Sequence, residues 1–253
     1  MLLTVDLGNT SIKIGLYEDY NELFFGVYDN HQNDYKSLIM SSLYKKGLRE
    51  EVITDAIISS VVPELYDKVY RAVRFFVPED RIIDINPHDN YGISLDVPDP
   101  DGVGDDLIVM NAYAYHLFKR EILVVSMGTS TVINHIDANG SFRHCVIAPG
   151  LHKVAQALWG NAAQLPSFDL KKPKSFLANT TVDAMNVGIY NGYIGMVKYL
   201  IDGVKSELDS EPFIVACGGL GKKIVPYLNV FNYYDPDLVT KGLYYIYERN
   251  HND

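Results

Sequence analysis

Leu2-Leu3-Thr4-Val5-Asp6-Leu7-Gly8-Asn9-Thr10-Ser11-Ile12-Lys13-Ile14-Gly15 opens the chain, and Ile122-Leu123-Val124-Val125-Ser126-Met127-Gly128-Thr129-Ser130-Thr131-Val132-Ile133 repeats its form. Each phrase runs an aliphatic, β-branched strand into a Gly/Ser/Thr turn and out into a second strand. In the first copy the turn offers a carboxylate at Asp6, a glycine at Gly8 that lets backbone approach a ligand, and amide and hydroxyl donors at Asn9, Thr10 and Ser11. Such a turn can cradle phosphate and metal. Alone it would read as an ordinary tight turn, because Asp and Asn beside Gly commonly make one. Its recurrence points to a duplicated domain.

Periodicity outward from the first phrase predicts three strands in a meander at 2–7, 11–18 and 23–28. A helix over about 34–48, a buried strand at 56–62, a helix opened by Pro63 and a strand at 81–86 follow. The second half repeats the order. Strands 121–128 and 131–137 form a hairpin, Asn139-Gly140 turns the chain, and 142–147 pairs as a third strand. Helices are then predicted at 151–160 and 181–207, a strand at 212–217, a helix from 220, a strand at 229–234 and a closing helix at 236–249. Two meanders, each followed by alternating α and β, predict an α/β fold of two ribonuclease-H-like domains, 1–115 and 116–253, with a cleft between them. The seam falls near 112–120, where no low-complexity linker intervenes.

Composition narrows the class. The chain of 253 residues, 47% hydrophobic and 21% charged, reads as a globular enzyme able to bury a sizeable core. No apolar run approaches a membrane span, and the start lacks the basic residues of a signal peptide, so a cytoplasmic protein without a membrane partner is expected. A net charge of −10, with no Lys/Arg stripe, argues against nucleic acid. Cys145 and Cys217 each lie in an apolar run, which predicts buried free thiols. His116, His135 and His152 lack metal-ligand spacing and read as packing or surface groups, and Trp159 and the tyrosines read as core and interface.

Further phrases follow: Val103-Gly104-Asp105-Asp106, Ala148-Pro149-Gly150-Leu151, Gln164-Leu165-Pro166, Asn179-Thr180-Thr181-Val182, Gly218-Gly219-Leu220 and Leu238-Val239-Thr240-Lys241-Gly242-Leu243. Together with the two opening phrases, and in this order, they resemble the type III pantothenate kinases, members of the sugar kinase, chaperone and actin-like ATPase superfamily. The likeness covers nearly the whole chain. It implies transfer of the γ-phosphoryl of ATP to pantothenate, the first step towards coenzyme A. By resemblance Asp6 would hold Mg²⁺, directly or through water, and Leu7, Gly8, Asn9, Thr10, Ser11, Ile12 and Lys13 would wrap the ATP phosphates. Thr129 would reach the nucleotide from the second turn. Lys13 could equally face solvent from a period-2 strand.

Asp106 is the candidate general base, and Gly104, Asp105 and Leu107 flank it in the substrate motif. Four carboxylates share residues 99–106, and like charges raise one another's pKa, which suits a proton acceptor working near neutrality. An acidic surface loop is the plainer reading of that segment alone; family register selects Asp106 over Asp105. The resemblance also implies a homodimer in which Thr181 completes the neighbouring subunit's substrate pocket, although a threonine there could be only a helix N-cap. The apolar residues Tyr190, Tyr193, Ile194 and Val197 could serve either such a seam or their own domain's core.

Several positions depart from the family. Leu107 stands where it has Arg, Met110 where it has Asn, Val97 where it has an aromatic, and His144-Cys145 where it has Gly-Gly. Ser126 replaces an Asp associated with a monovalent cation, potassium or ammonium; a hydroxyl can coordinate but brings no charge. Three readings therefore stand: a pantothenate kinase with an altered pocket, a kinase of this fold acting on another small alcohol, and a catalytically silent nucleotide-binding or regulatory homologue.

Overall fold

A computed structural model describes residues 1–18, 21–32, 34–160 and 170–252. Its chain divides into two compact units, one of residues 1–118, 140–142 and 237–253, the other of 119–139 and 143–236.

The first unit begins with β1 (Leu2–Leu7), β2 (Ser11–Glu18) and β3 (Asn21–Asp29). β1 pairs antiparallel with β2, which pairs antiparallel with β3, and the meander is the one predicted. Asp34 caps α1 (Tyr35–Tyr44) by accepting the Ser37 N–H, which satisfies one of the orphan donors of the first turn. β4 (Asp55–Ser60) lies parallel to β1 on its other side, α2 (Pro63–Val73) starts on a proline, and β5 (Ile82–Asp84) pairs parallel with β4. The short β6 (Ser94–Leu95) pairs with Ser141 and Phe142, and α3 (Asp105–Phe118) follows. The resulting sheet order is β3-β2-β1-β4-β5.

Alternation of side chains gives this sheet two distinct faces. Leu3, Val5, Leu7, Ile12, Ile14 and Ile58 point to one, where they form a core with Ile39 and Leu43 of α1 and Leu65 and Val69 of α2. Fully burying an aliphatic side chain of this kind contributes roughly 1.5–3 kcal/mol relative to exposing it. Thr4, Asp6 and Ser59 alternate with those residues and are buried as well. A core strand thus presents polar groups on one side only.

The second unit builds the same arrangement from β7 (Ile122–Met127), β8 (Ser130–Ile136) and β9 (Ser141–Pro149), then α4 (Leu151–Gly160), α5 (Thr181–Ser206), β10 (Phe213–Cys217), α6 (Gly221–Ile224) and β11 (Tyr233–Asp235). Its strands run β9-β8-β7-β10-β11, with β7 antiparallel to β8 and parallel to β10. Read from the meander edge, that is the order of the first sheet, strand for strand. The two ribonuclease-H-like units expected from the repeated phrases are present. Tyr190, Tyr193 and Val197 of α5 pack in this unit's own core with Leu123, Val125 and Ile214. The final helix, α7 (Leu238–Asn252), packs on α3, β1 and β4 of the first unit, burying Leu238, Leu243 and Ile246.

Some local expectations differ. Residues 105–118 form a helix, where the acidic segment gave no helical signal. The helix expected from 220 is a four-residue turn followed by a 3-10 turn at Val225–Tyr227, and β11 is shorter and later than 229–234. Cys217 is buried but Cys145 is exposed, in a stretch of β9 where Arg143, His144 and Cys145 are all exposed. His135 is buried, and its ring nitrogens pair with Glu121 at 3.0 Å and His144 at 3.1 Å. The phrase Gln164-Leu165-Pro166 and the side chain of Trp159 lie outside the described residues. Among the described residues no helix is long and apolar enough to cross a membrane.

Candidate functional site

In the first unit the chemistry gathers on the polar face of the sheet. Asp6, near the carboxyl end of β1, pairs in register with Lys13 of β2, and the Lys13 ammonium donates to its carboxylate at 2.6 Å. The Asp6 side chain is 4% exposed and that of Lys13 32%. Lys13 is thus engaged with Asp6, a contact that neither expectation for it had included.

The turn from Gly8 to Ser11 is closed by a Gly8 N–H donating to the Ser11 carbonyl at 2.9 Å. Asn30, just beyond β3, holds it from behind. Its side-chain amide donates to the Gly8 carbonyl at 2.8 Å, and its backbone N–H donates to that of Thr10 at 3.3 Å. Sequence reading had not singled out Asn30.

Asp105 and Asp106 open α3. Gly104 precedes them because a Cβ there would sit 2.9 Å from Asp106 Oδ1 and 3.1 Å from Val61 Cγ1. The Gly104 carbonyl accepts from the Leu107 and Ile108 N–H groups, which starts the helix. Asp105 accepts the backbone N–H of Ser60 at 2.9 Å, tying α3 to the carboxyl end of β4. Asp6 and Ser60 thus mark the ends of two adjacent parallel strands, where open α/β sheets place ligands.

Burial pushes the Asp106 carboxyl up to about 6, with the negative charge of Asp6 adding to the effect and Lys13 opposing it. Asp105 is likewise pushed up to about 6, first by burial, while its Ser60 hydrogen bond pulls the other way. A helix N-terminus favours the ionised form of a carboxylate, and here desolvation outweighs it. Leu107 is partly buried, whereas Met110 is a core side chain at 2% exposure. The family's asparagine position is therefore filled here by packing.

Oxygen donors beside excess negative charge suit a hard cation such as Mg²⁺. Lys13 offsets one of the three carboxylates' charges. Among the described residues no three Asp, Glu, His or Cys side chains gather closely enough to bind a metal by themselves. A cation held at Asp6 would therefore draw its other ligands from phosphate and water, as Mg²⁺ commonly does.

The second unit shapes its turn differently. The Gly128 N–H donates to the Ser130 carbonyl at 3.0 Å, and the Gly150 N–H donates to that of Thr129 at 3.1 Å. A Cβ on Gly150 would lie 2.2 Å from the Gly128 oxygen and 2.5 Å from the Thr129 oxygen, so glycine is required for this approach. Thr131, buried beneath the turn, shares a 2.7 Å hydrogen bond with Tyr193 of α5, and the Leu220 N–H donates to the Met127 carbonyl at 3.3 Å. Gly150, Tyr193 and Leu220 thus brace one turn. Thr129 and Ser126 are partly buried on it. The N-cap of α5 is Thr180, whose hydroxyl accepts the Asp183 N–H at 3.1 Å, so Thr181 is left as an exposed first helical residue.

The family model for type III pantothenate kinase matches residues 2–203. A type III pantothenate kinase of Bifidobacterium adolescentis is 34% identical over 256 residues, covering 99% of this chain and 99% of that protein. One from Bifidobacterium longum subsp. infantis is 35% identical over 258 residues with the same coverage. In fold the chain is similar to (R)-2-hydroxyglutaryl-CoA dehydratase component A of Acidaminococcus fermentans, with a TM-score of 0.54, 12% identity, and 98% of each chain covered. The chain belongs to the type III pantothenate kinase family.

Proposed function

We propose, from that membership, that the protein transfers the γ-phosphoryl group of ATP to the primary hydroxyl of pantothenate, giving 4'-phosphopantothenate at the entry to coenzyme A synthesis. The observation that supports it best is the placement of Asp106 in the first unit. A carboxyl at a helix start, with a pKa raised to about 6 and Asp6 and Lys13 acting on it electrostatically, is a proton acceptor suited to neutral pH.

Phosphoryl transfer depends on positioning and charge neutralisation more than on covalent chemistry. Asp6 holds Mg²⁺, directly or through water, and the cation supplies neutralisation of phosphate charge. Leu7 to Lys13 wrap the phosphates, with the Lys13 ammonium adding positive charge beside Asp6. Thr129, on the turn braced by Gly150, contacts the nucleotide. Asp106 takes the hydroxyl proton as the oxygen attacks the γ-phosphorus, and ADP leaves. Asp105, held by Ser60, fixes the start of α3, and Gly104 and Leu107 line the acceptor's approach.

Ser126 makes the monovalent-cation site weak or absent, since its hydroxyl brings no charge. Thr181 reaches the pocket of a second subunit in a homodimer. Its exposure supports that role, as do the bare surface around Gly188, Gly192 and Gly195 and the 79% exposed Tyr199 on the same helix. We place the enzyme in the cytoplasm, with no nucleic-acid or membrane partner, and assign it two domains, expected at 1–115 and 116–253, with α7 counted in the first unit, on which it packs.

Incubation of the purified protein with ATP, Mg²⁺ and pantothenate, followed by mass detection of 4'-phosphopantothenate, tests the assignment. ADP formed only with a different alcohol would favour the second reading of the sequence, and ATP binding without any turnover would favour the third.

A further inference from the structure

We infer that Asn30 is a positioning residue for the phosphate turn, and that Tyr35 acts through it; this rests on the reading that Gly8 to Lys13 carry the ATP phosphates. Asn30 is 2% exposed although it follows a surface strand, and its hydrogen bonds serve the turn or its support. The side-chain amide donates to the Gly8 carbonyl at 2.8 Å and the backbone N–H to the Thr10 carbonyl at 3.3 Å. The hydroxyl of Tyr35, the buried first residue of α1, donates to the carbonyl of Asn30 itself.

The consequence follows from peptide geometry. No peptide bond among the described residues is cis, and in a trans peptide the carbonyl of one residue and the N–H of the next point in opposite directions. Fixing the Gly8 and Thr10 carbonyls on Asn30 therefore turns the N–H groups of Asn9 and Ser11 away from Asn30. A polyanion requires that polarity, because carbonyl oxygens facing phosphate would repel it, whereas successive N–H groups attract it. Asparagine suits this position because the contact needs a neutral donor; an aspartate in its place would set a negative charge against the Gly8 carbonyl and beneath the phosphates. Asn30 thus links the turn, through the Gly8 and Thr10 carbonyls, to α1, through the Tyr35 hydroxyl.

The test uses the full chain and calorimetric binding of β,γ-methylene-ATP with Mg²⁺, alongside the KM for pantothenate and the melting temperature. Asn30→Ala should weaken the analogue about tenfold, the loss expected for one buried hydrogen bond that sets the geometry of others, and leave the pantothenate KM within about twofold. Tyr35→Phe keeps the ring and should weaken it in the same direction by about threefold. A purely structural role would lower the melting temperature without this split between substrates, and that result overturns the inference. So does wild-type analogue affinity in Asn30→Ala when Asp6→Asn is weakened, which leaves the phosphate-site reading standing. Unchanged affinity in all three variants removes that reading as well. If Asn30→Ala fails to fold, Tyr35→Phe decides alone: selective weakening supports the role and wild-type affinity overturns it.

Discussion

Lys13 reaches across the β1–β2 pair to within 2.6 Å of Asp6, its register partner, and so couples the first strand's carboxylate to the strand that leaves the Gly8–Ser11 turn. The pair gives the partly buried lysine of this strand a charged partner. Removing the charge of Asp6 would strip a partly buried ammonium of its carboxylate and leave the site with fewer anionic ligands. Asp6→Asn is expected to weaken Mg²⁺-dependent ATP binding by at least about tenfold, at roughly 1.36 kcal/mol per decade. Titration with ATP in the presence and absence of Mg²⁺ checks it; equal affinity of variant and wild type would remove Asp6 from the metal site.

The raised carboxyls predict a pH profile. A base with its pKa near 6 is protonated below that value, so kcat/KM for pantothenate should be level above about pH 7 and fall as pH drops through 6. A limb near pH 4 instead would mean that the working base is an ordinary exposed carboxylate.

Stability should respond with a definite sign. A carboxyl whose folded pKa lies above its unfolded value of about 3.9 binds more protons in the native state between those values, so it disfavours folding as pH rises through that window. The penalty is complete above about pH 6 and absent well below 4. Asp106→Asn should therefore raise the melting temperature at pH 8 more than at pH 4.5, and a larger gain at the acid end would contradict the burial account.

Much of the fold was legible because β1, β2, β4 and β7 are strand-length runs rich in aliphatic residues, and the repeated phrase revealed the second unit. α3 was not. Ile108, Val109, Met110, Ala112 and Ala114 are all buried, so the helix shows no single apolar stripe to read at a period of 3.6. Its first residues looked like an acidic loop for the same reason that they matter, since carboxylates at a helix start carry no apolar signal. Cys145 misled because an apolar neighbourhood in sequence says nothing about which face of a strand a residue occupies. Asn30 was silent because its hydrogen bond is made 22 residues away, on the Gly8 carbonyl.

Ser126 predicts a kinase with little need of potassium or ammonium. Turnover in sodium should match that in potassium within about twofold, a difference of less than about half a kilocalorie per mole. Loss of activity on replacing potassium would show that a cation site persists without the carboxylate.

The most direct measurement is the turnover of Asp106→Asn with saturating ATP, Mg²⁺ and pantothenate. Loss of a general base typically costs about 10²–10⁴-fold, and because only the transition state loses the interaction, nucleotide affinity should stay near wild type. A fall in kcat of about that size with unchanged binding of β,γ-methylene-ATP is the result the account predicts. Wild-type kcat in Asp106→Asn would contradict it.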